Sequence, residues 1–74
     1  MEKIIAMLKE LKPDVDYLTE TRLVTDKILD SIDITALIAM LEEEFGIEIG
    51  MESMENANFD SARAIWDMVQ DLQD

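Results

Sequence analysis

The chain has 74 residues, of which 18 are acidic, 6 are basic and 49% are apolar, giving a formal net charge of −12. A chain this short forms one small core, burying about 60% of its unfolded surface, and its charge opposes binding to nucleic-acid phosphates or anionic lipid. With no Cys and no His, disulfides, thiol nucleophiles, zinc clusters and imidazole bases are excluded, which closes most routes to independent catalysis.

The first periodic stretch places Ile4, Leu8 and Leu11 on one helical face and predicts a helix over residues 2–12. Pro13 ends it, because proline disfavours helical geometry in the residue before it. Lys9 and Glu10 interrupt the apolar run, so no secretory pattern is present, and no run of about 18 apolar residues exists to span a membrane. A cytoplasmic protein is expected. From Pro13 to Leu29 the apolar residues follow neither helical nor strand period, which predicts a long loop pinned by Leu18 and Leu23.

The strongest signal comes next. Ile34, Leu37, Ile38, Leu41 and Phe45 repeat at helical spacing, predicting a second helix from about Ser31 to Phe45. Asp30 and Ser31 are both good N-cap types, Asp33 puts a carboxylate in the first turn, and Gly46 suits a left-handed helix end. Residues 50–58 read as a loop with one helical turn. Asp60 or Ser61 then caps a last helix with Ala62, Ile65, Trp66, Val69 and Leu72 on its apolar face. The expected architecture is all-α: a small bundle of three longer helices and a short third one, forming a single domain over residues 1–74.

Between Lys27 and Arg63 no basic residue occurs, whereas Asp30, Asp33, Glu42, Glu43, Glu44, Glu48, Glu52, Glu55 and Asp60 all do. Such a patch repels itself, so it is either a surface read by basic partners or a solvated face that keeps a small protein soluble. The six methionines and Trp66 read first as core fillers. No calcium-loop pattern occurs among the acids.

The run Asp30-Ser31-Ile32-Asp33, followed by the apolar ladder and Leu41-Glu42-Glu43-Glu44-Phe45-Gly46-Ile47-Glu48-Ile49, resembles the acyl and peptidyl carrier proteins. The resemblance extends in layout over nearly the whole chain, because carriers have a long first helix, a long first loop, a second helix, a short third helix and a final one. It implies that Ser31 accepts 4′-phosphopantetheine and that Asp30 matches the acid before the serine. It also implies that Asp33, Glu42, Glu43 and Glu48 face basic docking surfaces of partner enzymes. Those partners would be a phosphopantetheinyl transferase and the enzymes that load and process acyl or aminoacyl cargo, acting on a monomeric, non-catalytic carrier.

The sequence departs from the pattern in places. Lys27 and Ile28 stand where the family often has Gly, Ile32 replaces the usual Leu, and Ala36 stands where fatty-acid-type carriers often place Glu. The segment Phe59 to Trp66 looks closer to free-standing carriers of specialised pathways or to aminoacyl carriers. Independently of the family, a serine at a helix start faces free N–H groups that favour a phosphate. No base lies beside it in sequence, so another enzyme would have to activate it. Charge reversal at Asp33 or Glu42 is expected to leave stability within about 1 kcal/mol. The competing reading is an unmodified acidic helical interaction module.

Overall fold

The computed structural model describes residues 1–73; Asp74, the last residue of the expected domain, lies outside the described residues. Four α-helices follow one another: α1 (Glu2–Leu11), α2 (Ser31–Phe45), the short α3 (Asn56–Phe59) and α4 (Ala62–Gln73), with a 3-10 turn at Met51–Ser53 before α3. The described residues contain no strand, and their extents are 31 × 22 × 20 Å. Helix α1 packs against both α2 and α4, and α3 packs against α4. The all-α expectation of three longer helices and a short third one holds.

Each boundary has a local cause. Helix α1 stops at Lys12, which is extended at φ −142° and ψ 91°, one residue ahead of the proline ring that would clash with a continuing helix. Helix α2 ends on Gly46 at φ 62°, the left-handed geometry that glycine reaches without a Cβ penalty. At the start of α4 the Ser61 hydroxyl accepts the Ala64 N–H at 3.0 Å. Of the two candidate caps, Ser61 therefore does the capping and Asp60 is left for another task.

One contiguous core joins Ile4 and Leu8 of α1, Leu37 and Leu41 of α2, Phe59 of α3, and Ala62, Ile65, Met68 and Val69 of α4. Tyr17, Leu23 and Leu29 enter it from the long connection over residues 12–30. Leu18 does not: it is 79% exposed, and Tyr17, 3% exposed, is the residue that pins this half of the loop. The two neighbours point in opposite directions, and the aromatic ring brings both more area and a polar tip. Its hydroxyl sits 2.7 Å from the Lys12 carbonyl, the nearer acceptor for its one proton, and 3.1 Å from the Leu8 carbonyl, which also accepts the Lys12 N–H. Burial raises the Tyr17 pKa above its ordinary value, and the nearby Asp33 charge adds to the rise.

Asp60 pins the other half of the loop. Its Oδ1 accepts the Val24 and Thr25 N–H groups at 2.9 and 2.8 Å, its Oδ2 accepts the Thr25 hydroxyl at 2.7 Å, and its carbonyl accepts the Leu23 N–H at 2.9 Å. Burial tends to raise the Asp60 pKa, but the Thr25 hydroxyl and the two N–H groups outweigh it and hold the carboxyl below its ordinary range. The loop is thus tied to the α3–α4 junction by a carboxylate rather than by apolar contact alone.

Leu41 has no exposed surface, so Leu41→Ala removes buried methyl groups and leaves a cavity. The expected loss is about 2 to 5 kcal/mol in urea or guanidinium unfolding. A loss below half a kcal/mol would mean that the inward face of α2 has been misidentified.

Candidate functional site

The site is built where the long connection enters α2. Asp30 is the N-cap, extended at φ −92° and ψ −177°, and its Oδ1 accepts the Asp33 N–H at 2.8 Å. In return the Asp33 carboxylate accepts the Asp30 N–H at 3.4 Å, closing a reciprocal capping box. The Asp33 N–H holds the Asp30 carboxyl below its ordinary pKa, and the Lys12 charge helps while desolvation opposes. Ser31 is therefore the first helical residue and not the cap. Its side chain is exposed, and its hydroxyl has no hydrogen-bond partner among the described residues. Because the cap is supplied next door, the serine oxygen can be spent on chemistry without unravelling the helix start.

Beside Ser31 runs a cleft of about 460 Å³ lined by Val24, Lys27, Leu29, Asp30, Ser31, Ile34 and Asn56. A smaller cavity of about 90 Å³ adjoins it, sharing Val24, Ile34 and Asn56 and reaching Met54 and Phe59. The long loop, α2 and α3 each supply a wall, so the Asp60 clamp on Val24 and Thr25 also fixes one side of the cleft. Lys27 takes a left-handed backbone at φ 59°, an arrangement that costs an L side chain roughly 1 to 2 kcal/mol. The departure from glycine at this place changes the residue and keeps the glycine-like conformation.

The acids singled out by sequence divide into two groups. Asp33 is half-buried in the capping box and lies 3.8 Å from the Lys12 ammonium, tying the end of α1 to the start of α2. Glu42 turns onto its own chain, where its Oε2 accepts the Ile49 N–H at 2.9 Å. Each accepts a backbone N–H, so the charge reversals expected to cost no more than about 1 kcal/mol would also remove a hydrogen bond. Glu43 and Glu48 are exposed, with no cation within 4.0 Å among the described residues, whereas Glu44 pairs with Lys3 at 2.9 Å. Of the four acids expected at a docking surface, Glu43 and Glu48 are the two with no such internal role.

Sequence reading missed Tyr17, Asp60 and the cleft-lining Val24 and Asn56. A lone Tyr in a loop and an Asp beside a capping Ser carry no periodic signal, because their partners lie in other elements. The geometry around Ser31 provides an exposed, unengaged hydroxyl, neighbouring N–H groups, the Lys27 ammonium in the cleft, and a largely apolar trough. That set fits a flexible chain attached through a phosphate, which needs a nucleophile for attachment and apolar walls to rest on.

Both lowered carboxyls contribute to the acid limb of stability. A group whose pKa is depressed by folding contributes stability above its unfolded value and loses it as pH falls through the folded one. Wild-type stability should therefore fall on acidification below the ordinary carboxylate range, followed by circular dichroism melts. Asp60→Asn should be less stable at neutral pH and should flatten that decline. An unchanged acid limb in Asp60→Asn would show that the clamp does not couple to folding.

Comparison with known proteins bears on the same region. The family model described as phosphopantetheine attachment site matches residues 10–66, a span containing Ser31 and the whole cleft. An acyl carrier protein of Buchnera aphidicola subsp. Baizongia pistaciae (strain Bp) is 45% identical over 51 residues, covering 69% of this chain and 63% of that protein. The match thus spans a little under two thirds of the relative's length. No solved structure matches the chain. With the fold, the open serine and the family match in agreement, the chain belongs to the phosphopantetheine-attachment family of carrier proteins, whose prosthetic group is 4′-phosphopantetheine.

Proposed function

We propose that this chain is an acyl carrier protein in which Ser31 takes the 4′-phosphopantetheine arm, and that the loaded carrier moves acyl or aminoacyl groups between biosynthetic enzymes. The observation that carries the reading is the division of labour at the start of α2: Asp30 caps the helix, and the Ser31 hydroxyl stays exposed and unengaged. When attached, the arm supplies a terminal thiol that holds cargo as a thioester. The chain has no cysteine to compete for that cargo.

The chain's own residues position the group and leave bond-making to partners. Ser31 has no His beside it, since the chain contains none, so the transferase supplies the base and coenzyme A is the donor. The Ser31 oxygen forms the new bond to phosphorus while the donor's pyrophosphate bond breaks, releasing the nucleotide part, and the serine proton passes to the enzyme's base. On this reading the protein is the substrate of its partners rather than a catalyst, and acts as a monomer in the cytoplasm.

Docking rests on Glu43 and Glu48, whose charges point to solvent, together with Asp30, Asp33 and Glu42 in the same acidic field. Ile32, next to the serine and 77% exposed, offers an apolar contact within that field. Partners with basic surfaces would be drawn in by the field and held by such contacts.

Two experiments test the reading. Incubation with coenzyme A and a broad-specificity phosphopantetheinyl transferase should add one arm by intact-protein mass spectrometry, and Ser31→Ala should abolish the addition while keeping the wild-type circular dichroism melt. Modification that persists in Ser31→Ala, or an unmodified wild type with several transferases, would favour the unmodified interaction module. Glu43→Lys and Glu48→Lys should keep stability within about 0.5 kcal/mol and slow modification most at low ionic strength. Asp71→Lys, on the exposed side of α4, controls for net charge. Equal slowing in all three variants would show that no localised docking face exists for that enzyme.

A further inference from the structure

Resting on the assignment of Ser31 as the attachment site, we infer that Lys27 is a phosphate-positioning residue, its ammonium neutralising the phosphodiester formed on Ser31 and holding the arm's first atoms against the cleft. Lys27 and Ser31 line the same cleft, together with Asp30. Modification therefore places a new anion beside the Asp30 carboxylate and the Asp33 carboxylate of the capping box, in a protein already at a net charge of −12. Like charges so placed repel, and a nearby cation is the direct remedy.

Lys27 is suited to that role on three counts. It is the last basic residue before a stretch that has none until Arg63. Its side chain is exposed, and no carboxylate lies within 4.0 Å of its ammonium among the described residues, a state it shares only with Lys9, which does not line the cleft. Its left-handed backbone sits where glycine would be free of strain, so the lysine is kept at a position whose local geometry disfavours it. An ammonium on a flexible stem, meeting a phosphate as a point charge, is the common way for lysine to bind that group.

The test compares apo and phosphopantetheinylated forms of wild type, Lys27→Gln and Lys27→Gly, with modification verified by intact mass. Lys27→Gln keeps the strained backbone and removes the charge; Lys27→Gly removes both. In wild type, arm attachment should leave the melting temperature nearly unchanged at low salt. In both variants it should lower it by about 1 to 5 °C relative to the matching apo form, and the difference should close at about 1 M salt. The Lys27 side-chain NMR resonances should move on modification of wild type while those of Lys9, on α1, stay in place. A wild-type apo-to-holo difference in Lys27→Gln, or unmoved Lys27 resonances, overturns the inference while leaving the attachment site intact. An effect confined to Lys27→Gly overturns it in favour of backbone relief. Failure of wild type to be modified at all is a separate result that overturns the functional reading and this inference with it.

Discussion

The connection over residues 12–30 carries no helix or strand, yet its backbone donors and carbonyls near the core still require partners. Asp60 meets part of that demand at one end, accepting from Val24 and Thr25 with its carboxylate and from Leu23 with its carbonyl, while Asp26, Lys27 and Leu29 donate to carbonyls of the loop itself. Tyr17 meets it at the other, spending its hydroxyl on the end of α1. Between these ties the loop inserts Leu23 and Leu29 into the core and delivers Asp30 to the head of α2. Loosening the Asp60 clamp would therefore disturb a wall of the cleft and the approach to Ser31 together, although Asp60 touches neither α2 nor the serine in its hydrogen bonds.

At the head of α2 two neighbouring side chains have separate duties. A single residue serving as both cap and attachment point would lose its cap on modification, and the helix start would loosen when the arm must be held. Here the Asp30–Asp33 box carries the cap and Ser31 is released from it. The same acids give the site its negative field, so the cap and the field draw on one set of charges. Glu42 shows a similar economy, since the carboxylate that contributes to the field also holds the Ile49 N–H beyond the end of the helix.

How much of this was legible depended on whether the cause was local. The span Ser31–Phe45 could be read because its apolar ladder, the caps at Asp30 and Gly46 and the acid at Asp33 all act within a few residues. The same holds for the end of α1 at Pro13, whereas the choice between Asp30 and Ser31 as the cap was settled only by the Asp30–Asp33 hydrogen bonds. Leu18 was misread because hydrophobicity says nothing of direction in an irregular segment, and the neighbouring Tyr17 had the better anchor. Asp60 was a plausible cap by composition, and only its distant partners Val24 and Thr25 reveal its use. Lys27 stood out only as a departure from the family's frequent Gly, whereas the chain takes a left-handed conformation with a lysine in place.

The packing of Phe45 against Trp66, with ring centroids 5.9 Å apart and planes tilted by 57°, joins the last residue of α2 to α4. Trp66 is the sole tryptophan of the chain, and α2 rises at about 1.5 Å per residue, so this indole lies roughly 20 Å along the helix from Ser31. The molecule thus contains its own optical probe, placed on the helix junction and remote from the attachment point. Tryptophan emission reads the closure of α2 on α4 without a label. A change in emission when the protein is unfolded or its core altered would therefore report on this one junction.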